Sequence, residues 1–357
     1  MVGKIQYFQE EVKRKRRLKA MNKIIEKDCK EILSRVDFKK AKGKKILVTG
    51  ATGFLGQYIV ASFALANKEL KLGCSIKAVG FSDPKDALAS ILKGYPEVKF
   101  EKVDLTEDFD LKGFDFIFHA AGYGQPAKFI NDPVSLVKIN VNATSRLLEG
   151  SPKSTFIFFS SAEIYGDIPK ELIPVKENYN GNSPLHTPRS VYAESKRLGE
   201  ALCSAYKTKN ETDVKIVRIS HVYGPGLPSN DTRVMSDFIR KAGKDKVIKL
   251  LDSGKSIKTY GYIADVISMI IFVGLEGKDV VYNVGGKDSL SVFDLANKIA
   301  KYFKVKCEVP KSDSKLSHVG TDPVIVKLDL TKIKKEMKKL KFTDFDKGLA
   351  RTIEWTR

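Results

Sequence analysis

The sequence predicts an α/β fold, in which a Rossmann-like, doubly wound parallel sheet is followed by a smaller C-terminal α/β domain. Three observations support this prediction. Short apolar runs alternate with helix-compatible stretches from residue 45 onwards. A glycine-rich segment follows the first apolar run at once. The alternation loosens after Gly224, where Pro225 and Pro228 interrupt the chain. Because alternating strands and helices are typical of parallel βαβ units, we divide the chain into segments 1–43, 44–224 and 225–357.

The predicted elements follow from apolar periodicity and run length. Short apolar runs predict buried strands, and longer stretches without proline predict helices. In the first part of the body we expect strands at 46–48, 76–79, 98–103, 114–118, 155–159 and 214–219, and helices at 54–66, 84–93, 133–148 and 190–206. Beyond Gly224 we expect helices at 233–241, 264–275 and 292–303, and strands at 247–251 and 280–284.

The charge is concentrated at the two ends of the chain. The 357 residues include 63 Lys and Arg against 43 Asp and Glu, a net charge of +20. Residues 1–45 hold 16 basic and 6 acidic side chains, and residues 298–357 hold 16 and 8. The rest of the chain is nearly neutral, which disfavours a nucleic-acid-binding body. The high charge density and short apolar runs also exclude a membrane protein.

The cysteines and the N-terminus favour a cytoplasmic protein. Cys29, Cys74, Cys203 and Cys307 are widely spaced and form no CxxC pair. This spacing argues against a zinc site or a disulfide scaffold, so we expect no metal and a reducing compartment. The N-terminus also lacks the apolar stretch of a secretory signal.

The first segment predicts a basic helix from about residue 4 to residue 35. Its apolar positions recur at helical spacing at Ile24, Ile25, Cys29, Ile32 and Leu33. Residues 13–17 form a run of five basic side chains. Two interpretations stay open, a solvated helix face or oligomer arm, and a tether to nucleic acid or an anionic membrane.

The glycine-rich segment predicts a dinucleotide-binding loop. Gly50, Gly53 and Gly56 follow a predicted strand, and Phe54 and Leu55 open the next helix. Glycines let the backbone approach a pyrophosphate, whose charge the helix N-terminus stabilises. We therefore expect NAD as the cofactor.

The ends of the next two strands leave NADP open. Gly80 stands where an acid that binds the ribose hydroxyls is expected. Asp83 could replace that acid from the loop, or Lys85 could bind a 2′-phosphate. Asp104, after the third strand, could accept from an adenine amino group or cap a turn.

Tyr192 and Lys196 predict acid–base chemistry. Their spacing places both side chains on one face of a helix. A nearby ammonium favours the phenolate and lowers the pKa of a tyrosine, which otherwise lies near 10. Ser161 leaves a strand that ends near the expected cofactor and can hydrogen-bond the same substrate oxygen as Tyr192.

Together these motifs resemble the extended short-chain dehydrogenase/reductase superfamily, and within it the nucleotide-sugar epimerases, dehydratases and decarboxylases. The matching segments are TGATGFLG, His119-Ala-Ala-Gly122, Ser160-Ser161-Ala-Glu-Ile-Tyr-Gly166 and Tyr192-x-x-x-Lys196. The resemblance extends from about Lys44 to Trp355. It implies an NAD-binding domain over 44–224 and a mainly nucleotide-sugar-binding domain over 225–357.

The resemblance also implies roles for individual residues. Tyr192 is the base at sugar O4, Lys196 holds the nicotinamide ribose, and Ser161 orients the hydroxyl. The cofactor contacts that it implies are Gly50, Gly53, Phe54, Leu55, Gly56, Asp104, Leu105, Ala120, Ala121, Ser160, Tyr192 and Lys196. A homodimer that pairs through the helix of Tyr192 is a further family expectation.

The reaction depends on a second carboxylate, since oxidation at C4 acidifies the C5 hydrogen or eases loss of a C5 carboxylate. Glu163 would lie on the same face as Ser161 if both were in a strand. It resembles the glutamate of the decarboxylases and of the 4,6-dehydratases, whose neighbouring Asp is Ala162 here. The segments around residues 177–182, 187–197 and 231–236 resemble UDP-glucuronate decarboxylases most. Epimerisation and dehydration stay open.

The expected substrate contacts include two departures from the decarboxylase pattern. Lys258 stands where those enzymes carry an Arg, and an ammonium cannot form the same bidentate contact with a carboxylate. His221 replaces a frequent Asn, and Gly226 follows Pro225 where an Arg is common. The expected substrate-binding residues are His221, Arg233, Lys258, Tyr260 and Arg189. The non-enzymatic alternative is a Rossmann protein that senses dinucleotides or binds RNA through its basic ends.

Overall fold

The computed structural model describes residues 23–187, 189–228, 231–310 and 325–356. The strands are β1 (Lys45–Thr49), β2 (Ser75–Gly80), β3 (Val98–Lys102), β4 (Phe116–His119), β5 (Thr155–Ser161), β6 (Asp213–Ile219), β7 (His221–Tyr223), β8 (Val247–Lys249), β9 (Ile257–Tyr262), β10 (Val281–Val284), β11 (Asp288–Ser291), β12 (Lys306–Glu308) and β13 (Ile325–Val326). The helices are α1 (23–35), α2 (Phe54–Leu70), α3 (Asp86–Gly94), α4 (Pro126–Asn131), α5 (Pro133–Val137), α6 (Thr144–Gly150), α7 (Ser190–Asn210), α8 (Val234–Lys244), α9 (Ile263–Glu276), α10 (Val292–Phe303), α11 (Thr331–Glu336) and α12 (Phe345–Thr356).

A seven-stranded parallel sheet forms the centre of the molecule, in the order β10-β6-β5-β4-β1-β2-β3. The order reverses between β1 and β4, which are hydrogen-bonded neighbours. In open α/β sheets, ligands bind beyond the carboxyl ends of the strands at such a reversal. The glycine-rich loop after β1 and the loop after β4 therefore meet where a ligand is expected.

The sheet is covered on both faces, because successive residues of its strands point to opposite sides. Val48, Phe118 and Ile157 belong to one buried cluster, which includes residues of α2 and α9. Leu47, Ile117 and Phe156 belong to the other, which includes residues of α6 and α7. Burial on both faces of the sheet explains why the strands are continuous apolar runs in the sequence.

Most of the strands beyond β6 form two smaller sheets. Strand β9 pairs with β7 and β13 in parallel and with β11 antiparallel, and β8 pairs with β12. However, β10 pairs with β6 and extends the large sheet, and Gly274 of α9 packs against Phe118 and Ile157. Segments beyond residue 224 thus contribute to both parts of the molecule.

The helix predicted over 133–148 is interrupted. It consists of α5, a π-helical turn over Lys138–Ala143, and α6. Single π-helical turns within α-helices are frequent at functional sites. Among the described residues, no helix is both long and apolar enough to span a membrane.

Helix α1 packs into the protein along its apolar face, while its other face, with Glu26, Lys27 and Lys30, is exposed as the solvated-face interpretation predicts. The oligomer-arm interpretation stays a prediction. Ile25, Cys29 and Ile32 are buried along one face. Asp28, fully buried, accepts hydrogen bonds from Tyr58 and Tyr262. Arg351 forms an ion pair with Asp28, and Arg35 forms one with Asp265. The apolar stripe therefore marks a docking face, while the basic run at 13–17 lies outside the described residues.

The buried carboxyl of Asp28 predicts a pH-dependent stability. Burial raises its pKa to about 6, although the Tyr262 and Tyr58 hydrogen bonds and Arg351 oppose the rise. Between about pH 4 and pH 6 the folded protein keeps a proton that the unfolded chain releases, so stability falls as the pH rises. Asp28→Asn removes this titration. Across that window the wild type should therefore lose up to about 3 kcal/mol of unfolding free energy relative to Asp28→Asn.

Urea unfolding at several pH values measures this difference. Asp37→Asn, at the half-exposed Asp37 after the same helix, is the control. A free-energy difference between Asp28→Asn and the wild type that stays constant with pH would contradict the assignment of the titration to Asp28.

Candidate active site

The glycine-rich loop packs directly on the loop after β4. Gly50 has a φ of +66°, and a Cβ there would lie 2.7 Å from backbone atoms of Ala120 and Ala121. A Cβ on Gly56 would lie 2.2 Å from the carbonyl oxygen of Gly50. Both positions therefore require glycine. Gly53 precedes α2, whose first-turn N–H groups, at Phe54, Leu55 and Gly56, have no partner within the helix and can bind an anion.

The end of β2 is closed to a longer side chain. A Cβ on Gly80 would lie 2.8 Å from Thr52 Cγ2, and Ser82 donates a hydrogen bond to Thr52 Oγ1. Asp83, a predicted alternative partner of the ribose, lies 3.4 Å from Lys102 in an exposed ion pair. The structure therefore offers no carboxylate at Gly80 itself.

Asp104 caps a turn. Its Oδ1 accepts from the backbone N–H and the hydroxyl of Thr106, at 2.9 and 2.7 Å. An open cavity of about 300 Å³ lies beside it, lined by residues 101–104 and 107–111. One carboxylate oxygen of Asp104 therefore caps the turn, as one of the two interpretations predicts. The contact of Asp104 and Leu105 with adenine stays a prediction.

Tyr192 lies in the first turn of α7, stacked on a second aromatic ring. Its ring centroid is 4.8 Å from that of Phe129, with 19° between the planes. Burial raises the pKa of Tyr192, while a hydrogen bond from the Ser161 hydroxyl lowers it. Ser161 therefore lies close enough to Tyr192 to influence its phenol, and the catalytic roles of the two residues stay predictions. The phenol needs further charge stabilisation to act as a base near neutral pH.

Lys196 lies one turn further along α7 and is 5% exposed. Its Nζ donates to the Phe159 carbonyl at 2.7 Å and lies 5.0 Å from the centre of the Phe158 ring. Burial lowers the pKa of Lys196 to about 7. The protonation of this amine is therefore sensitive to nearby charges at neutral pH.

Glu163 forms a bidentate ion pair with Arg189 beside Tyr192. Three contacts of 2.9 to 3.1 Å join the carboxylate to the guanidinium, and both side chains are mostly buried. Glu163 lies in a 3-10 turn over Ala162–Tyr165, and its N–H donates to Ser161 Oγ. Its charge raises the pKa of Tyr192, and that of Arg189 lowers it. The structure thus brings Glu163 and Arg189 close to Tyr192, and their roles in a reaction stay predictions.

Arg233 also acts on Tyr192. Its guanidinium is held by the fully buried carboxylate of Asp231, with contacts of 2.6 to 3.1 Å. The charge of Arg233 lowers the pKa of Tyr192. This predicted substrate contact therefore lies within electrostatic range of the phenol.

The remaining predicted substrate contacts lie on the smaller sheet. His221 of β7 is opposite Tyr260 of β9, with ring centres 5.8 Å apart. Lys258 is buried two residues before Tyr260, on the same face of β9. Strand β13 pairs with β9 at Lys258 and contacts the turn that carries Glu163. Their participation in one site with Tyr192 stays a prediction.

The Ser160 hydroxyl is directed into the protein. It donates to Glu200 at 2.5 Å, and Glu200 also pairs with Arg218. Any cofactor contact by Ser160 is therefore left to its backbone.

Asn140 is a residue that the sequence reasoning missed. It is fully buried in the π-helical turn, and its Nδ2 donates to Ser195 Oγ. Its Oδ1 has no hydrogen-bond partner among the described residues. A Cβ on Gly122 would lie 3.3 Å from this oxygen and 3.4 Å from Lys196 Nζ. An amide between the apolar Ile139 and Val141 was the available signal in the sequence.

His119, from the motif after β4, is a neutral structural histidine. Its Nδ1 is 2.7 Å from Thr49 Oγ1. Burial lowers the pKa of His119 to about 3. This side chain therefore links β4 to β1 without carrying charge.

The parallel sheet, the glycine loop and the Ser–Tyr–Lys arrangement define a dinucleotide-dependent enzyme of the short-chain dehydrogenase/reductase type. The sequence profile of the NAD dependent epimerase/dehydratase family matches residues 46–285. The chain belongs to this family. The predictions of a Rossmann-like fold and of an enzyme of this class are confirmed.

Among curated relatives, UDP-glucuronic acid decarboxylase 1 of Xenopus tropicalis is 26% identical over 316 residues, covering 88% of this chain and 72% of the relative. UDP-glucuronic acid decarboxylase 5 of Arabidopsis thaliana is 27% identical over 293 residues, covering 81% and 82%.

Among solved structures, the UDP-glucuronic acid 4-epimerase of Bacillus cereus, in complex with UDP-glucuronic acid and NAD, aligns with a TM-score of 0.72 and 23% identity, covering 87% of this chain and 98% of the other. The dTDP-glucose 4,6-dehydratase of Streptomyces venezuelae, with NAD bound, aligns with a TM-score of 0.75 and 22% identity, covering 87% and 96%. The shared fold includes enzymes of more than one reaction type.

Proposed function

We propose that this protein is an NAD-dependent nucleotide-sugar enzyme that oxidises its substrate transiently at C4, and that it decarboxylates a UDP-glucuronate-type substrate. The observation that carries the proposal is the placement of Glu163, with Arg189, beside the Tyr192–Ser161 couple. The relatives named as UDP-glucuronic acid decarboxylases support the choice of substrate.

The cradle and the catalytic side chains fit a bound dinucleotide. Gly50 and Gly56 let the loop pack tightly on the loop after β4 and on the first turn of α2. The first-turn N–H groups of α2 can then bind a pyrophosphate. When bound, NAD supplies a hydride acceptor for sugar C4. Tyr192 then takes the proton of the C4 hydroxyl, which Ser161 orients through its hydrogen bond.

The charge around Tyr192 prepares it as a base. Burial alone disfavours the phenolate, whereas Arg233 and Arg189 stabilise it. In its ammonium form, Lys196 holds the nicotinamide ribose and adds a positive charge close to Tyr192. Proton abstraction therefore depends on Lys196 being charged.

The resulting 4-keto sugar would release its C5 carboxylate as carbon dioxide, because the electron pair of the breaking bond passes into the ketone and gives an enolate. A proton taken up at C5 from water would then restore the ketone. Glu163, held by Arg189 and close to Tyr192, is the second carboxylate that would act near C5. Ala162, buried next to it, provides no acid for a departing hydroxyl, which disfavours dehydration. Epimerisation is the main alternative outcome.

A panel of nucleotide sugars tests the proposal. We expect UDP-glucuronate, incubated with the purified protein and NAD, to yield a product lighter by one carbon dioxide. Loss of one water would mean dehydration, and an unchanged mass with an inverted centre would mean epimerisation. If no nucleotide sugar changes and the protein binds RNA in a salt-dependent manner, a binding protein would replace the enzyme.

A homodimer and a cytoplasmic location also stay predictions. Apolar side chains on two neighbouring helices support the dimer, since Val134 of α5 is 66% exposed and Leu198 of α7 is 49% exposed.

A further inference from the structure

We propose that Glu200 is a positioning residue that keeps Lys196 in its ammonium form. Glu200 follows Lys196 by one turn of α7, so the two side chains share a helix face. Glu200 is 9% exposed and Lys196 is 5% exposed, and solvent therefore screens their interaction little. The inference rests on the proposed function, in which Lys196 must be charged.

The carboxylate of Glu200 is fixed by three hydrogen bonds. Ser160 Oγ donates to Oε1 at 2.5 Å, and Arg218 donates from Nε at 3.1 Å and from an Nη at 2.7 Å. These donors come from β5 and β6, which lie beneath α7. These charge-assisted hydrogen bonds hold the carboxylate in its position on the helix.

Arg218 is itself held by contacts other than those with Glu200. Its other Nη donates to the Glu177 carbonyl at 2.8 Å and to the Tyr165 hydroxyl at 3.0 Å. Its guanidinium carbon lies 5.0 Å from the centre of the Tyr165 ring.

Burial lowers the pKa of Lys196, and Glu200 is the strongest influence in the opposite direction.

The other groups around Lys196 do not supply the missing negative charge. From β5 it meets the Phe159 carbonyl and the Phe158 ring, which are neutral. From β4 it faces His119, which burial keeps neutral. From α7 it faces Cys203, whose pKa burial raises far above its usual range, so that the thiol stays protonated.

Two further groups complete these surroundings. Asn140 approaches from the π-helical turn and carries no charge. Tyr192, one turn before Lys196, has a raised pKa and is a neutral phenol before catalysis. Among the described residues around Lys196, Glu200 is therefore the charged group that favours its ammonium, and the cation of Arg218, paired with Glu200, offsets part of that effect.

Proton titration of Lys196 itself tests this role without requiring turnover. In full-length protein labelled with carbon-13 at lysine Cε, the Lys196 resonance is assigned by its loss in Lys196→Met. It should titrate near neutral pH, well below exposed lysines, which titrate near about 10.4. In Glu200→Gln we expect its midpoint to fall by about 1 pH unit, because the stabilising charge is removed.

Glu194→Gln is the matched control. Glu194 lies on the same helix, is partly exposed and pairs with Arg197. We expect the Lys196 midpoint to stay unchanged in this variant and to stay close to the wild type in Glu200→Asp, which keeps the charge. An unchanged midpoint in Glu200→Gln, or an equal fall in Glu194→Gln, would overturn the proposal.

A double variant keeps the test valid if Glu200→Gln does not fold. Glu200→Gln with Arg218→Met removes both buried charges, so neither is left without its partner. We expect the Lys196 midpoint to fall by less than in Glu200→Gln, because loss of the Arg218 charge offsets part of the effect. The absence of any fall would again reject the role of Glu200.

Kinetics separate this proposal from the proposed function. If the enzyme turns over, the alkaline limb of the kcat/KM profile should move to lower pH by the same amount as the titration midpoint. If no nucleotide sugar reacts, the proposed function fails, while the titration still decides whether Glu200 sets the charge of Lys196.

Discussion

Replacing Tyr192 with Phe should lower kcat about 1000-fold while changing KM little. The variant keeps the ring that stacks on Phe129 and removes the hydroxyl that hydrogen-bonds Ser161. Substrate and cofactor binding should therefore persist, whereas the proton of the sugar C4 hydroxyl has no acceptor at that position. Steady-state rates with UDP-glucuronate, together with NAD binding by calorimetry, measure the two effects separately.

Tyr206→Phe is the matched control for this substitution. Tyr206 lies on the same helix and hydrogen-bonds Glu149 and Ser145, away from Ser161. We expect its kcat to equal that of the wild type. If Tyr192→Phe keeps more than about a tenth of the wild-type rate, Tyr192 is not the general base, because such a base contributes at least about 100-fold.

Gly50→Ala should weaken NAD binding by about 30-fold or more. The added Cβ meets backbone atoms of Ala120 and Ala121 at 2.7 Å, so one of the two loops at the ends of β1 and β4 must move. Such overpacking costs about 1–3 kcal/mol, and displacement of the loop removes the backbone from the pyrophosphate. Calorimetric titration with NAD measures the loss.

Gly73→Ala separates crowding from backbone strain. Gly73 has nearly the same φ, +65°, but a Cβ there meets nothing within 4 Å. Both variants should lose about 1 kcal/mol of stability from the left-handed conformation, while only Gly50→Ala should lose NAD affinity. Equal NAD affinity in the two variants would show that the glycine loop is not part of the cofactor site.

The large sheet could be predicted because its signals are local. Each strand is a short apolar run between helix-compatible stretches, and burial on both faces needs no alternation of polarity. The glycine loop was predictable for the same reason, since strand, glycines and helix are consecutive in the chain. Tyr192 and Lys196 share one helix, so their spacing alone placed them together.

The smaller sheet and the ion pairs could not be predicted in this way. Strands β7 and β13 contain three and two residues, too few for a periodic pattern. Two of the partners of Asp28, Tyr262 and Arg351, are more than 200 residues away in the chain. The pairing of Glu163 with Arg189 depends on a 3-10 turn that redirects the carboxylate after β5. Such contacts follow from tertiary packing.

The most direct test of the central claim uses UDP-glucuronate that carries deuterium at sugar C4. Purified protein with its bound cofactor is incubated with this substrate, and the product is analysed by mass spectrometry. Transient oxidation at C4 followed by decarboxylation predicts a product lighter by one carbon dioxide that retains the deuterium, because the hydride returns to C4. It also predicts slower turnover than with unlabelled substrate, because a C4–deuterium bond must break. Recovery of the substrate unchanged in mass and configuration would contradict the account.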